Sequence, residues 1–212
     1  MDFQIVCADG IKWCQRHKGV FPAIVTSAPE MSEVNKDEAA YIKFFRRCAA
    51  AVFGAVKDDG YAIFIQTDRK SNGVIDKSYL ITDEAQAAGY RLMFHKIALI
   101  RDVNATDLYK PTYSHVLCYS KRGTPGSATP DVFMRGDVLY SNGMGIDATK
   151  KVLEFLKAKH IDYVVDPFVG RGTTLIVAKH MGFKGGIGVD LEKKQCDEAT
   201  KNLTKTFAAL KK

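Results

Sequence analysis

The segment Asp166–Thr174, which reads D-P-F-V-G-R-G-T-T, holds the residues whose types and spacing point most clearly to chemistry. A short apolar run at 161–165 precedes it, and a stretch of helical period at 173–181 follows. This order predicts a glycine-rich turn between a strand and a helix. Such turns are where strand-and-helix proteins bind their ligands, beyond the carboxyl ends of the strands.

Two glycines and two threonines in this turn suit a ligand that lies against the backbone. Gly170 and Gly172 permit a tight turn and a close approach of the main chain. Thr173 and Thr174 can cap the helix, whose N-terminal amides attract polar or anionic groups. We therefore expect all four residues to contribute to a binding site.

Two acids at strand ends narrow the choice of ligand. Asp166 can accept hydrogen bonds from a cationic amine, and Asp190 ends the next predicted strand at about the spacing of an acid that reads ribose hydroxyls. The dinucleotide fingerprint G-x-G-x-x-G is not met, because Leu175 stands where its third glycine belongs. The pattern suits S-adenosylmethionine better than NAD or FAD, and a turn without a ligand is the simpler alternative.

Short apolar runs alternate with helical patterns along the whole chain. The helical patterns begin at Asn35, which with Glu38 resembles a capping box, and continue at 78–88, 147–159, 173–181 and in a tail helix reaching Leu210. The alternation predicts an α/β fold: a mixed seven-stranded sheet, an antiparallel edge hairpin and helices on both faces. The seven predicted strands are 3–7, 23–25, 61–66, 92–100, 113–119, 161–165 and 185–189.

The glycine-rich segment resembles the D-P-F-x-G-x-G-T-T cofactor motif of the permuted amino-methyltransferases, which methylate exocyclic amines of DNA bases. That group places its catalytic strand first and its cofactor motif last, and this sequence follows the same order. The resemblance implies one Rossmann-like methyltransferase domain over residues 1–212, with circularly permuted motifs and S-adenosylmethionine as its cofactor.

Further residues match this family's motifs position by position. Asp9 resembles the acid that reads the adenine amine, and Thr26-Ser27-Ala28-Pro29-Glu30 resembles the catalytic loop T-S-P-P-Y. The segment Gly145–Lys150 lies where the family places a helix-leading segment near the cofactor carboxylate. The implied cofactor site comprises Asp9, Thr26, Asp166, Phe168, Gly170, Gly172, Thr173, Thr174 and Asp190, and the implied catalytic residues are Ser27, Ala28, Pro29 and Glu30.

The catalytic loop departs from the family pattern at Ala28 and Glu30. Ser27 and the Ala28 carbonyl can still accept hydrogen bonds from a target amine, but Glu30 replaces the aromatic residue that stacks on a flipped base. The absence of that stacking costs about 1–3 kcal/mol per base. The sequence offers three aromatic replacements: Tyr41, Phe44 and Tyr113.

Two main functional hypotheses follow from this loop. The first is a methyltransferase acting on a nucleic-acid base, in RNA or DNA, with Ser27 and the Ala28 carbonyl orienting the amine. The second is a catalytically silent subunit that binds nucleic acid or a partner protein. A dinucleotide-dependent oxidoreductase is a third, weaker alternative. Glu30 would act as a base, bind a cation or simply be solvated.

The segment 121–146 lies where this group inserts its target-recognition region. It is rich in Gly, Pro and Ser, and it is too short for a separate recognition domain. We therefore expect a loop there, and sequence-specific recognition would need a partner.

Composition agrees with a nucleic-acid ligand. The 212 residues carry a formal net charge of +7, which favours a phosphate-bearing partner, and Arg69, Lys70 and Arg122 are candidates for phosphate contacts. Scattered cysteines without a C-x-x-C pair and unclustered histidines predict no metal site. The sequence shows no signal peptide and no membrane-length apolar run, so we expect an intracellular protein, in cytoplasm or nucleus, that is not secreted.

Overall fold

A computed structural model describes residues 2–70, 73–126, 129–141 and 143–210. Its helices are α1 (Gly10–Arg16), α2 (Met31–Val34), α3 (Glu38–Ala55), α4 (Lys77–Ala87), α5 (Ile146–Ala158), α6 (Thr173–His180) and α7 (Lys193–Asn202). Its strands are β1 (Phe3–Cys7), β2 (Phe21–Thr26), β3 (Val56–Gln66), β4 (Arg69–Lys70), β5 (Val74–Ile75), β6 (Arg91–Leu99), β7 (Tyr113–Ser120), β8 (Val132–Met134), β9 (Tyr163–Asp166) and β10 (Gly185–Asp190).

Eight strands form one mixed sheet in the order β1-β10-β9-β2-β3-β7-β6-β8, and β4 pairs with β5 in a small separate hairpin. Strands β1, β10, β9, β2 and β3 are parallel, whereas β7 is antiparallel to both β3 and β6. From β9 the chain continues to one side of the sheet, and from the adjacent β2 it continues to the other. Strand order therefore reverses between β9 and β2, the place where such sheets bind ligands.

Two apolar cores cover the two faces of the sheet. Helices α1, α3 and α4 pack on one face, and α5 and α6 pack on the other. Strand interiors such as Ile24, Ile63 and Val165 are fully buried, as expected for parallel strands covered on both sides. These two layers hold the carboxyl ends of the central strands in fixed positions.

The predicted α/β architecture with an antiparallel edge pair is confirmed, and the sheet gains one strand. Strand β8 lies inside the segment 121–146, for which we expected a loop, and it pairs in parallel with β6 through Val132 and Ile97. Three residues are too few to show the alternation that identifies a strand in a sequence.

The helix predictions need correction at three places. Helices α1 and α2 have no counterpart among the predicted helices. Helix α3 begins after Asp37, whose carboxylate accepts the Ala40 amide, while Asn35 is a left-handed residue that ends α2. The capping box belongs instead to Glu30 and Glu33 of α2. The tail helix ends at Asn202, well before Leu210, because residues 204–207 leave the helical path.

Candidate active site

A cavity of about 1200 Å³ lies at the carboxyl ends of the central strands. Its walls include Ser27, Phe168 and Asp190, which follow or end three neighbouring strands. Small-ligand pockets usually hold about 300–1000 Å³. The cavity therefore has room for two ligands side by side, as a group-transfer reaction requires.

The glycine-rich turn forms one end of this cavity. Gly170 and Gly172 have φ values of 51° and 97°, which side chains with a Cβ rarely adopt. The Gly170 amide donates to Asp190 Oδ2 at 3.0 Å, and the Glu192 amide donates to Asp190 Oδ1 at 2.9 Å. Each carboxylate oxygen keeps a lone pair for a ligand, so Asp190 can still accept a hydroxyl hydrogen.

Asp166 lies beneath the cavity rather than in its wall. Its carboxylate accepts the Thr26 and Thr174 hydroxyls at 2.7 and 2.6 Å and the Phe168 amide at 3.2 Å. Burial raises the pKa of Asp166 to about 6, although these hydrogen bonds oppose the shift. The Asp166 carboxylate thus joins β2, β9 and α6, and its expected contact with a cationic amine of the ligand stays a prediction.

The predicted cofactor residues therefore separate into two groups. Buried residues that shape the turn from below are Thr26, Asp166, Gly172 and Thr174, and residues in the cavity wall are Asp9, Phe168, Gly170, Thr173 and Asp190. Asp9 caps α1 by accepting the Lys12 amide through Oδ1, which leaves Oδ2 for a ligand.

The start of α1 packs directly on the glycine-rich turn. A Cβ at Gly10 would lie 2.1 Å from the Pro167 carbonyl oxygen and 2.9 Å from the Phe168 ring. Only glycine permits this approach. The contact sets the position of the Phe168 ring, which forms part of the cavity wall.

Gln66, at the end of β3, is one of the buried side chains that hold the loop Ser27–Glu30. Gln66 Oε1 accepts the Ala28 amide at 2.9 Å and the Ser27 hydroxyl at 3.4 Å. Its Nε2 donates to Glu30 Oε1 at 3.2 Å. Because the Ser27 proton points to Gln66, the lone pairs of Ser27 Oγ are available to a substrate N–H group.

Glu30 is paired with a lysine, and its own side chain is 35% exposed. Both of its carboxylate oxygens accept Lys77 Nζ at 2.6 Å, and the Lys77 side chain is fully buried over the rings of Tyr41 and Phe45. Burial lowers the pKa of Lys77, and the Glu30 charge opposes that effect. The pair neutralises Glu30, so it does not offer a cation site.

Among the three aromatic candidates, Phe44 is the one in the cavity wall. Tyr41 is fully buried and its hydroxyl donates to the Pro29 carbonyl. Tyr113 packs edge-on against His115. Lys36 Nζ lies 5.8 Å from the Phe44 ring centroid, which places a cation over this half-buried ring.

Basic side chains surround this opening, but they are not the three we selected from the sequence. Arg122 lies near Asp58, at the opposite end of β3 from the cavity. Arg69 and Lys70 form β4, and Lys70 donates to the Asp107 carbonyl. The cations in the cavity wall are instead Lys36, Arg47, Arg101, Lys110, Arg135 and Arg171.

Several site residues have no signature in the sequence. Gln66 and Lys77 reach the catalytic loop from positions 36 to 47 residues further along the chain. Arg135, Tyr140 and Gln195 carry buried polar atoms in the cavity wall. Placement of Gln66 at the end of a strand beside β2 was the one usable signal, since ligand-facing residues gather at such ends.

Neither a metal cluster nor a membrane-spanning helix is found in the described parts of the chain. Within these ranges, no group of three or more His, Cys, Asp or Glu side chains is arranged to hold a metal ion. Nor do the helices of these ranges include one with the length and apolar character needed to cross a membrane.

Comparison with known proteins agrees with this geometry. Residues 148–201, from α5 through α7, match the sequence profile of a DNA methylase family. A type II methyltransferase of Lactococcus lactis subsp. cremoris, M2.LlaDCHI, is 53% identical over 47 residues. That stretch covers 22% of this chain and 17% of the relative, so the chain aligns with under a fifth of the relative's length.

Solved structures match over nearly the whole chain. A putative DNA modification methylase of Thermus thermophilus, complexed with S-adenosylmethionine, superposes with a TM-score of 0.71 at 15% identity, covering 95% of this chain and 94% of that one. The cytosine-N4-specific PvuII DNA methyltransferase gives 0.73 at 16% identity, covering 100% and 90%. The chain therefore has the fold of these DNA methylases, and residues 148–201 are similar in sequence to the DNA methylase family.

Proposed function

We propose that this chain transfers a methyl group from S-adenosylmethionine to an exocyclic amine of a nucleic-acid base. The observation that carries the proposal is that one cavity wall holds two kinds of binding groups. A glycine-rich turn with Asp190 forms one end, and a loop with two hydrogen-bond acceptors, Ser27 Oγ and the Ala28 carbonyl, lies in the same wall.

Orphaned polar atoms in the wall support the fit of the cofactor. Within the described residues, three buried side-chain atoms lack a hydrogen-bond partner: Arg135 Nε, Tyr140 Oη and Gln195 Oε1. All three residues line the cavity. Buried polar groups are otherwise almost always paired, so these atoms are suited to a polar ligand. A cofactor with an adenine, a ribose and an amino-acid end presents partners for donors and acceptors alike.

The chain's own residues account for the steps around the transfer. When bound, S-adenosylmethionine would supply the methyl group of its sulfonium sulfur to an amine nitrogen, and the neutral thioether would be the leaving group. Ser27 Oγ and the Ala28 carbonyl accept the two amine hydrogens and so orient the nitrogen lone pair. Gln66 fixes both acceptors, and the surrounding walls exclude water from the reacting groups. The amine proton leaves to solvent after the transfer.

Phe44 is the aromatic residue that we propose for stacking on the target base. It lines the cavity and has a cation, Lys36, beside its ring. Stacking on Phe44 would supply the aromatic surface that Glu30 cannot offer, and Arg47 and Lys110 would contact phosphates. RNA and DNA both offer such a base.

Transfer of tritiated methyl groups to unmethylated genomic DNA and to total RNA tests the proposal, with nucleosides identified by mass spectrometry. We expect an N-methylated base with wild type and a loss of at least about tenfold with Ser27→Ala. Ser32→Ala, in the neighbouring helix α2, serves as the matched control. An unchanged rate in Ser27→Ala would remove that residue from the mechanism.

The silent-subunit hypothesis has one observation in its favour. Glu30 is locked to Lys77, so the loop itself presents no stacking surface. Cofactor binding without methylation of either nucleic acid, together with transfer once a second methyltransferase subunit is added, would support this alternative. In that case the partner would also supply sequence recognition, because the described residues of 121–146 form sheet edge and cavity wall.

A further inference from the structure

Arg135 Nε is one of the three unpaired polar atoms in the described part of the cavity wall, and the proposed function assigns it no specific group of the ligand. Arg135 follows β8, and its amide donates to the Leu99 carbonyl at the carboxyl end of β6. Its Nε is buried without a hydrogen-bond partner among the described residues. A buried guanidinium nitrogen without an acceptor is costly unless an anion or a carbonyl oxygen completes it.

The Arg135 side chain has little freedom to leave this position. A Cβ at Gly145 would lie 2.0 Å from Arg135 Cγ, so the stem lies against the backbone at the start of α5. A Cβ at Gly143 would lie 3.4 Å from Thr173 Oγ1. Arg135 lies at the sheet edge, and Gly143 lies beside Thr173 at the N-terminus of α6.

The start of α5 cannot provide the anion site that the family resemblance places there. The Ile146 amide already donates to the Asp137 carbonyl, and the amides of Asp147 and Ala148 donate to the Arg135 carbonyl. Asp147 also adds a negative charge to this first turn. Lys150 lies in the wall of a separate shallow pocket. A carboxylate near α5 consequently needs a donor from another part of the wall.

The other arginines of the cavity wall differ from Arg135 in partners or position. Arg101 Nη1 lies 3.0 Å from Asp107, and Arg171 Nε lies 2.8 Å from Glu198. Arg47 belongs to the side of the cavity built from α2 and α3. Burial is the only cause acting on Arg135, and it lowers the pKa of that group, as expected for a cation without an anionic neighbour.

We propose that Arg135 binds the carboxylate at the amino-acid end of S-adenosylmethionine. The inference rests on the proposed function and adds to it a residue whose contact would favour binding of S-adenosylmethionine over an analogue that lacks the carboxylate. The planar guanidinium fork matches a carboxylate through two parallel hydrogen bonds. Tyr140, five residues after Arg135, has a buried hydroxyl that also lacks a partner among the described residues. Gln195 lies at the other end of the cavity, on α7 close after Asp190.

Calorimetric titration with S-adenosylmethionine and with its decarboxylated analogue tests this assignment. The variants are Arg135→Met, which keeps the stem, and Lys184→Met, which removes a cation outside the cavity wall. We expect Arg135→Met to weaken S-adenosylmethionine binding at least about tenfold and to change binding of the decarboxylated analogue by less than about twofold. Lys184→Met is expected to change neither, and Arg135→Lys is expected to recover part of the lost affinity.

Each outcome separates the inference from the proposed function. Wild-type affinity for S-adenosylmethionine in Arg135→Met, or an equal loss for both ligands, would overturn the role of Arg135 and leave the methyltransferase proposal in place. Failure of the folded wild-type protein to bind either ligand would overturn the cofactor proposal itself. Thermal melting of each variant checks that the fold persists.

Discussion

At the scale of residues, the loop Ser27–Glu30 differs most from the family pattern that it resembles at Glu30. A glutamate in place of an aromatic suggests either a new base or an idle surface residue. The structure gives a different answer, because Lys77 approaches from α4 and Gln66 from β3 to fix the Glu30 carboxylate. The substitution exchanges a stacking surface for a polar frame that holds Ser27 and Ala28 in place.

The Glu30–Lys77 pair should contribute measurably to stability. Lys77→Met keeps the apolar stem over Tyr41 and Phe45 but leaves the Glu30 charge without its partner. We expect this variant to lower the free energy of unfolding by about 2 kcal/mol. The double variant Lys77→Met/Glu30→Gln should recover about half of that loss. Urea unfolding of the four proteins in this cycle measures the coupling, and strictly additive changes would show that the pair is energetically idle.

Asp166 predicts a specific dependence of stability on pH. Its pKa is raised to about 6, whereas an unfolded Asp titrates near ~3.9. The folded state therefore holds a proton that the unfolded state releases between these values, so the stability contributed by Asp166 falls as pH rises from about 4 to 6 and is constant above.

Asp166→Asn removes this titration and serves to isolate it. We expect the free energy of unfolding of the variant, relative to wild type, to rise by up to about 2–3 kcal/mol between about pH 4 and pH 7 and then to level off. Urea unfolding at intervals of half a pH unit gives the curve. A difference that stays constant across this range would contradict a raised pKa at Asp166.

At the scale of elements, the contact between helix α1 and the glycine-rich turn shapes the site. Helix α1 is short and has little amphipathic pattern, yet its first residue packs on the turn that carries Phe168. The prediction from sequence missed this helix because seven residues give too few turns to establish a period. Asp9 directly before α1 was the available signal, since Asp is a preferred N-cap.

Gly10→Ala tests the contact between α1 and the glycine-rich turn. The new methyl group would collide with the Pro167 carbonyl and the Phe168 ring. We expect a loss of about 1–3 kcal/mol in the free energy of unfolding and weaker binding of S-adenosylmethionine. Gly54→Ala in α3 is the matched control, because its Cβ meets nothing within 4 Å and should stabilise the helix by up to about 1 kcal/mol. Equal effects of the two changes would refute a special role for Gly10.

Long, regular elements and their order were predictable, whereas side-chain partners across the fold were not. The pattern of apolar strands at 61–66 and 185–189 identified the sheet, and the glycine-rich turn identified the end of it that binds ligands. The Lys77–Glu30 contact joins residues 47 positions apart, and a single sequence carries no pattern that predicts such a pair. Arg135 was hidden in a segment that looked like loop, and Arg122 was misplaced because β7 runs antiparallel to its neighbours.

At the scale of the whole molecule, the proposed function depends on where the excess positive charge lies. The net charge of +7 includes a set of cations around one opening, beside the half-buried ring of Phe44. Cations around a concave site raise the local concentration of an anionic polymer and speed its arrival. The distribution therefore agrees with a nucleic-acid substrate.

Binding of a labelled DNA duplex should weaken steeply with salt if phosphates contact this opening. Each neutralised phosphate contributes about −0.9 to the slope of log K against log salt. We expect Arg47→Ala to reduce the magnitude of that slope by about 1. Lys184→Ala, which changes a lysine paired with Asp162 at the amino end of β10, should leave the slope unchanged. Similar slopes for both variants would point to non-specific attraction by the whole surface.

The central claim is that the cavity at the strand ends binds S-adenosylmethionine, and calorimetric titration of wild type and Asp190→Ala tests it most directly. Glu192→Ala, close by on the same loop, is the control. The account predicts micromolar binding by wild type and by the control, and a loss of at least about tenfold in Asp190→Ala, because the removed carboxylate orders the turn and accepts the ribose hydroxyls. Absence of binding by a folded wild-type protein, or undiminished binding by Asp190→Ala, would contradict the account.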